Sequence, residues 1–253
     1  MNLKGPKKVV WITGAGKGIG RALARRFAHE GWIVCASSRT AQDLKTLAAE
    51  CPDGNIRQYI LDVTDQIATR EVLNAIESGP GVPDLAVLNA GSHIPVKATN
   101  LNMKPFRQLM ETNYMGTVYG FLGVLEIMRK RKAGHIAVVS SLAGYRGLPS
   151  AAAYGASKAA LINMCEALKP ELERLGIKLQ LINPGFVETP LTDKNDFSMP
   201  FLIPVETAVD YIVSGLRSNR FEIAFPNRFA IIMRILRILP ARLFFSITRR
   251  MLK

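Results

Sequence analysis

Cysteine is scarce in this sequence: Cys35, Cys51 and Cys165 are the only three in 253 residues. They are odd in number and far apart, with no metal-ligand spacing and no histidine close in sequence. A disulfide framework and a thiolate metal site are therefore not expected, no metal is assigned, and the simple reading is a reduced, intracellular chain. Uncharged apolar runs of about 18 residues are absent, which argues against a spanning helix. Residues 1–8 are basic but lead into a short apolar strand instead of a signal-peptide core, so secretion is not expected. Repeats, low-complexity tracts and linkers are missing too. Acid is in short supply: 20 Asp and Glu stand against 33 Lys and Arg, for a formal charge of +13. The excess concentrates late in the chain, where residues 217–253 hold nine basic residues and one acid, Glu222.

What is present can bury a full core, in one α/β domain or in two, since 48% of the residues are hydrophobic. The apolar run Val9-Val10-Trp11-Ile12 ends in Thr13-Gly14-Ala15-Gly16-Lys17-Gly18-Ile19-Gly20, after which Ala22, Leu23, Phe27 and Ala28 follow helical spacing. Strand, glycine turn and helix in that order form a cradle for phosphate: glycines let backbone approach a ligand, and a helix start offers unpaired N–H groups. The spacing is neither Gly-x-Gly-x-x-Gly nor the triphosphate loop ending in Gly-Lys-Ser/Thr. A second strand closes at Ser38-Arg39, where dinucleotide folds carry an acid for a ribose 2′-hydroxyl or an arginine for a 2′-phosphate. No acid stands there, so Arg39 and Lys17 point to NADPH over NADH. Asp62, at the end of a third strand, is a candidate acceptor for an adenine amino group or a turn-forming acid, and Asp65 a helix cap. Further strands end at Asn89-Ala90-Gly91, at Ser140-Ser141 and at Asn183-Pro184-Gly185. The βα alternation predicts a doubly wound, Rossmann-type α/β fold, a parallel sheet of about seven strands with helices on both faces and a ligand crevice at the strands' carboxyl ends.

Tyr154 and Lys158 stand four apart on a predicted helix, which places both on one face. A phenol of pKa about 10 is a poor catalyst near neutrality, and a fixed cation beside it favours the phenolate.

With these motifs in order, the chain resembles the short-chain dehydrogenase/reductases over about residues 7–225: Thr13-Gly14-x-x-x-Gly18-Ile19-Gly20, Asn89-Ala90-Gly91, Asn113, Ser141, Tyr154-x-x-x-Lys158, Pro184-Gly185 and Thr189. The resemblance implies a carbonyl reductase or alcohol dehydrogenase using NADP(H). Tyr154 would donate the proton, Lys158 would lower its pKa and hold the nicotinamide ribose, Ser141 would hydrogen-bond the carbonyl oxygen, and Asn113 would hold a water behind Lys158. Gly14, Gly16, Gly18, Ile19 and Gly20 would shape the pyrophosphate turn, with Lys17 and Arg39 at basic positions of NADP-using members. Asp62 and Val63 would line the adenine, Asn89, Ala90 and Gly91 the adenosine side, and Pro184, Gly185, Val187 and Thr189 the nicotinamide. His93 is read as a partly exposed loop residue. A homodimer or homotetramer is expected, as is common in the family.

Residues 1–226 form the expected nucleotide-binding and catalytic domain, and 227–253 a basic amphipathic helical extension interrupted at Pro240. Within the extension Arg234 and Arg237 make a narrow polar stripe, and after Pro240 the basic residues Arg242, Arg249, Arg250 and Lys253 fall opposite Leu243, Phe244, Ile247 and Met251. Three occupations follow: a peripheral site on the inner face of a membrane, packing over the cleft or a subunit partner, or nucleic acid. The last is disfavoured because Phe229, Phe244 and Phe245 do not interleave with the arginines. Residues 191–204, the substrate lid in this family, contain Phe197, Met199, Phe201, Leu202 and Ile203, which suits a hydrophobic, lipid-like keto substrate. Two alternatives stand beside it: a soluble 3-oxoacyl or steroid-type reductase whose tail completes an oligomer, and an NADPH-sensing scaffold without turnover.

Overall fold

The computed structural model describes residues 7–51, 53–194 and 199–251. Phe197 and Lys253, named above, lie outside them. Seven strands form one parallel sheet in the order β3-β2-β1-β4-β5-β6-β7. They are β1 (Val9–Thr13), β2 (Ile33–Ser38), β3 (Ile56–Ile60), β4 (Leu85–Leu88), β5 (Gly134–Val139), β6 (Ile177–Pro184) and β7 (Glu222–Phe225). The order reverses between β1 and β4, and a crevice opens at such a switch point because the connections leave to opposite faces.

Strand alternation sorts the core into two layers. Val10 and Ile12 of β1 point to one face, where α1 (Gly18–His29), α2 (Ala41–Ala49) and α7 (Val205–Arg217) cover them with Leu23, Phe27, Leu44, Leu47 and Val209. Val9 and Trp11 point to the other, under α3 (Gln66–Ser78), α5 (Gly116–Arg131) and α6 (Ala152–Arg174). Asp65 caps α3 as expected, its carboxylate accepting from the Ala68 N–H at 2.9 Å.

The helical stretch between β4 and β5 is interrupted. It runs as α4 (Met103–Leu109), a π-helical turn (Met110–Met115) and then α5, with the buried Asn113 inside the turn. A π turn re-aims side chains that a regular helix would hold elsewhere, and such turns gather at functional sites.

The extension folds as α8 (Asn227–Ile238) and α9 (Ala241–Arg249), broken at Pro240 as the sequence indicates. One side of α8 is buried: Phe229, Ala230 and Met233 join the core beneath α5 and α6. Its arginine stripe faces carboxylates, with Arg234 2.7 Å from Glu222 and Arg237 3.8 Å from Glu166. Arg146 clamps the far end, donating to the carbonyls of Leu236 (2.6 Å), Arg237 (3.2 Å) and Leu239 (2.6 Å) while its guanidinium lies 3.9 Å from the centre of the Phe244 ring. A cation at a helix carboxyl end satisfies orphan carbonyls and the dipole together. Cys35, Cys51 and Cys165 are buried free thiols. Among the described residues no helix is long and apolar enough to cross a membrane.

Candidate active site

The glycine turn is locked against the end of β4. Gly14 has φ +67°, and a Cβ there would come 2.8 Å from the Ala90 Cα; at Gly20 it would meet the Gly14 carbonyl oxygen at 2.3 Å. Thr13 Oγ1 accepts from the N–H groups of Asn89 (2.9 Å) and Ala90 (3.1 Å), and the Asn89 amide donates back to the Thr13 carbonyl at 3.0 Å. Helix α1 opens at Gly18 with Lys17 as a cap that makes no side-chain bond. Its first N–H groups therefore remain for a ligand.

Lys17 and Arg39 reach the same edge, and each has an acid beside it that local sequence did not reveal. Lys17 Nζ lies 3.7 Å from Asp43 of α2, and Arg39 lies 3.9 Å from Asp62. Both cations are mostly exposed and both pairs are long, so each pair holds its cation weakly. Asp62 builds a turn, accepting from the Thr64 N–H (3.0 Å) and hydroxyl (2.8 Å). Val63 is buried against Gly116 at the start of α5.

Asn113 ties three segments. Its Oδ1 accepts from the Ser92 N–H at 2.7 Å, and its amide donates to the Ser92 carbonyl (3.0 Å) and to Ser157 Oγ (2.9 Å). The loop after β4 is thereby fastened to α6, and the Asn113 side chain is engaged in protein contacts. A Cβ on Gly91 would fall 3.3 Å from Asn113 Oδ1 and 3.5 Å from Lys158 Nζ, which shows how closely these groups crowd.

Ser140 and Ser141 have separate tasks. Successive side chains leaving a strand diverge. Ser140 Oγ donates to the Lys158 carbonyl at 2.8 Å and so anchors α6, whereas Ser141 Oγ donates to the Pro184 carbonyl at 3.3 Å and lies beside the Tyr154 phenol. Lys158 is buried and donates to the Val139 carbonyl at 2.9 Å, with Nζ 5.8 Å from the centre of the Tyr154 ring. Burial pushes its pKa from 10.5 down to about 8.

The expected lowering of the Tyr154 pKa is not what this site does as it stands. Burial raises it, and the bond from Ser141 only partly opposes that. The reason is physical: a phenol shielded from water resists ionisation. His93 also differs from expectation, being buried with its ring edge-on to Tyr154 at 4.7 Å between centroids.

Ser141, Tyr154 and Lys158 open into a cleft of about 1440 Å³, together with Ile19, Asn89, Gly91, Pro184, Gly185, Val187 and Thr189. The remaining glycines of the turn, Lys17, Arg39, Asp62, Val63, Ala90 and Asn113 stand behind or beside it. Its far wall is supplied by α8 through Phe229, Ile232, Met233 and Leu236, the packing over the cleft that the sequence left as one of three occupations of the extension. Phe229 stacks between Phe186 and Phe201, at 5.5 and 5.8 Å between centroids. The apolar spacing of the extension was visible, but which of its faces met the cleft was not.

A parallel sheet with a glycine cradle at its switch point, and a phenol, a hydroxyl and a buried lysine in one crevice beside it, defines a Rossmann-type nucleotide-dependent enzyme. Residues 8–198 match the family described as short chain dehydrogenase, and the chain belongs to that family. An uncharacterized oxidoreductase of Myxococcus xanthus (strain DK1622) is 38% identical over 242 residues, spanning 95% of this chain and 96% of that protein. Among solved structures, a short-chain dehydrogenase from Streptomyces avermitilis superposes with a TM-score of 0.82 at 26% identity over 91% of each chain. ElxO with NADP bound has a TM-score of 0.78 at 29% identity, covering 86% of this chain and 97% of its own. The chain is thus an oxidoreductase that takes a nicotinamide cofactor, and the uncapped start of α1 against the close-packed glycine turn fits such a group.

Proposed function

We propose that the chain is an NADPH-dependent reductase of a keto group on a hydrophobic substrate. The observation that carries this reading is the Tyr154 phenol, beside Ser141 and the buried Lys158, in a cleft whose other walls are largely apolar. When bound, the nicotinamide supplies a hydride to the carbonyl carbon. Tyr154 gives its proton to the carbonyl oxygen, and Ser141 donates a hydrogen bond to that oxygen as charge develops, a task that needs the hydroxyl already in place. The raised Tyr154 pKa suits an acid that must stay protonated until the carbonyl oxygen takes its proton. Lys158 holds the nicotinamide ribose. Asn113 acts as a positioning residue that keeps the Gly91 loop and α6 at fixed separation around Lys158.

Lys17 and Arg39 hold the 2′-phosphate in this reading. Supporting it are the exposure of Lys17 in the glycine turn and of Arg39 after β2, and the NADP carried by ElxO. Asp43 and Asp62 compete for the same cations, so the preference rests on a phosphate dianion displacing two weak pairs.

Substrate class follows from the aromatic shelf of Phe186, Phe229 and Phe201, which offers flat apolar area to a chain or ring. The test is NADPH oxidation against small ketones, 3-oxoacyl thioesters and long-chain keto-lipids, with NADH run in parallel. The expected result is turnover with NADPH that improves with apolar chain length. Equal turnover with NADH, or a preference for the smallest ketones, would overturn the corresponding half of the reading.

A further inference from the structure

Burying one side of α8 leaves the opposite side bare. Ile231, Ile235 and Ile238 are exposed at 55%, 51% and 80%, and Ile232 at the cleft rim at 41%. Four isoleucines share that arc with Arg228. Beyond Pro240, α9 buries Phe244 and Thr248 and leaves Leu243, Phe245 and Ile247 exposed, with Met251 exposed just after it. Across the cleft mouth the lid adds Phe201 and Leu202, also exposed. Isolated surface apolar residues are ordinary, but this many on two consecutive helices mark an interaction face.

Charge selects its occupant. Residues 227–253 contain no Asp or Glu. Arg234 and Arg237 are occupied by carboxylates of the fold, whereas Arg228, Arg242, Arg249 and Arg250 pair with no carboxylate among the described residues. A twofold contact between two copies of this face would bring both sets of unpaired arginines into one interface, where their like charges repel. An anionic lipid surface instead offers hydrocarbon to the isoleucines and phosphate to the arginines. We infer that α8 and α9 dock the protein on an anionic bilayer. Arg250 and Met251 line the cleft as well as the docking face, so its mouth opens at the lipid surface.

This inference stands apart from the reductase reading, because it is tested by binding alone. Full-length protein is sedimented with phosphatidylcholine vesicles, with and without about 30% phosphatidylglycerol, at low and high salt. The expected result is capture by the anionic vesicles, at least about tenfold weaker on the neutral ones or in high salt. Replacing Ile231, Ile235 and Ile238 by Ser, all outside the cleft lining, is expected to weaken capture by a similar factor while the thermal transition is unchanged. Arg228→Glu with Arg242→Glu should do the same. No capture by anionic vesicles, or capture that ignores both sets of changes, overturns the inference. So does ultracentrifugation in which the triple serine variant turns a dimer into a monomer while vesicles capture neither form.

Discussion

At and behind the floor of the cleft several polar side chains are tied to backbone: Asn113 to Ser92, Ser140 to Lys158, Lys158 to Val139, Thr13 to Asn89 and Ala90. The far wall, α8 and α9, is held instead by a few strong points, namely the buried Phe229 and Met233, the Glu222–Arg234 pair and the Arg146 clamp. Hydrogen bonds are directional and fix atoms to tenths of an ångström, whereas apolar contact fixes only proximity. A reaction centre needs the first kind of order, and a wall that adapts to an apolar guest tolerates the second.

The sharpest way to isolate the floor is Tyr154→Phe. Turnover should fall by about 10²- to 10⁴-fold, as expected for loss of a general acid, with cofactor affinity nearly unchanged in fluorescence titration. A loss of only a few-fold would remove Tyr154 from the proton-transfer role.

Next in size is the burial of Lys158, which can be read from stability. Its pKa is about 8 in the folded chain against 10.5 for the free group. Below about pH 8 both states hold the proton and the folded chain bears the full burial cost. Between 8 and 10.5 the unfolded state binds more protons, so stability rises with pH by about 3 kcal/mol in total from this group. Chemical denaturation of the cofactor-free chain across that window should show the rise, and Lys158→Met should lack it. Parallel curves for the two proteins would mean that the lysine is not held back from charging.

On the wall, Arg146→Ala should destabilise by about 1–3 kcal/mol, because the carbonyls of Leu236 and Leu239 lose their donor. Limited proteolysis near Pro240 should accelerate while activity on a small ketone survives. If activity on small ketones falls as far as on long ones, wall and floor are coupled more tightly than their contacts indicate.

The smallest effect concerns the cofactor edge. Lys17→Ala with Arg39→Ala should lower the ratio of NADPH to NADH efficiency by about tenfold, equivalent to about 1.4 kcal/mol, measured as kcat/KM with each cofactor. An unchanged ratio would assign discrimination to other residues.

How legible this was in the sequence follows from range. The glycine turn and the Tyr154 to Lys158 spacing could be read directly, since each depends on neighbours within one turn or one helix. Ser141 was chosen over Ser140 only through the family resemblance, because which hydroxyl the α6 backbone takes is set by packing across the sheet. Asp43 and Asp62 escaped notice as partners of Lys17 and Arg39 because α2 and the end of β3 meet the glycine turn only in space. His93 was read as a loop residue by its position, yet the ring of Tyr154 covers it.

By itself the sequence determined the order of strands and helices, the cradle, the paired phenol and lysine, and two amphipathic segments after residue 226, because periodicity and backbone chemistry act locally. Only the tertiary structure decided that the first of those segments becomes a wall of the cleft, that burial raises the phenol's pKa while lowering the lysine's, and that the isoleucines of α8 are left facing outward. Desolvation and shared surface belong to elements brought together from distant parts of the chain, and no single segment carries them.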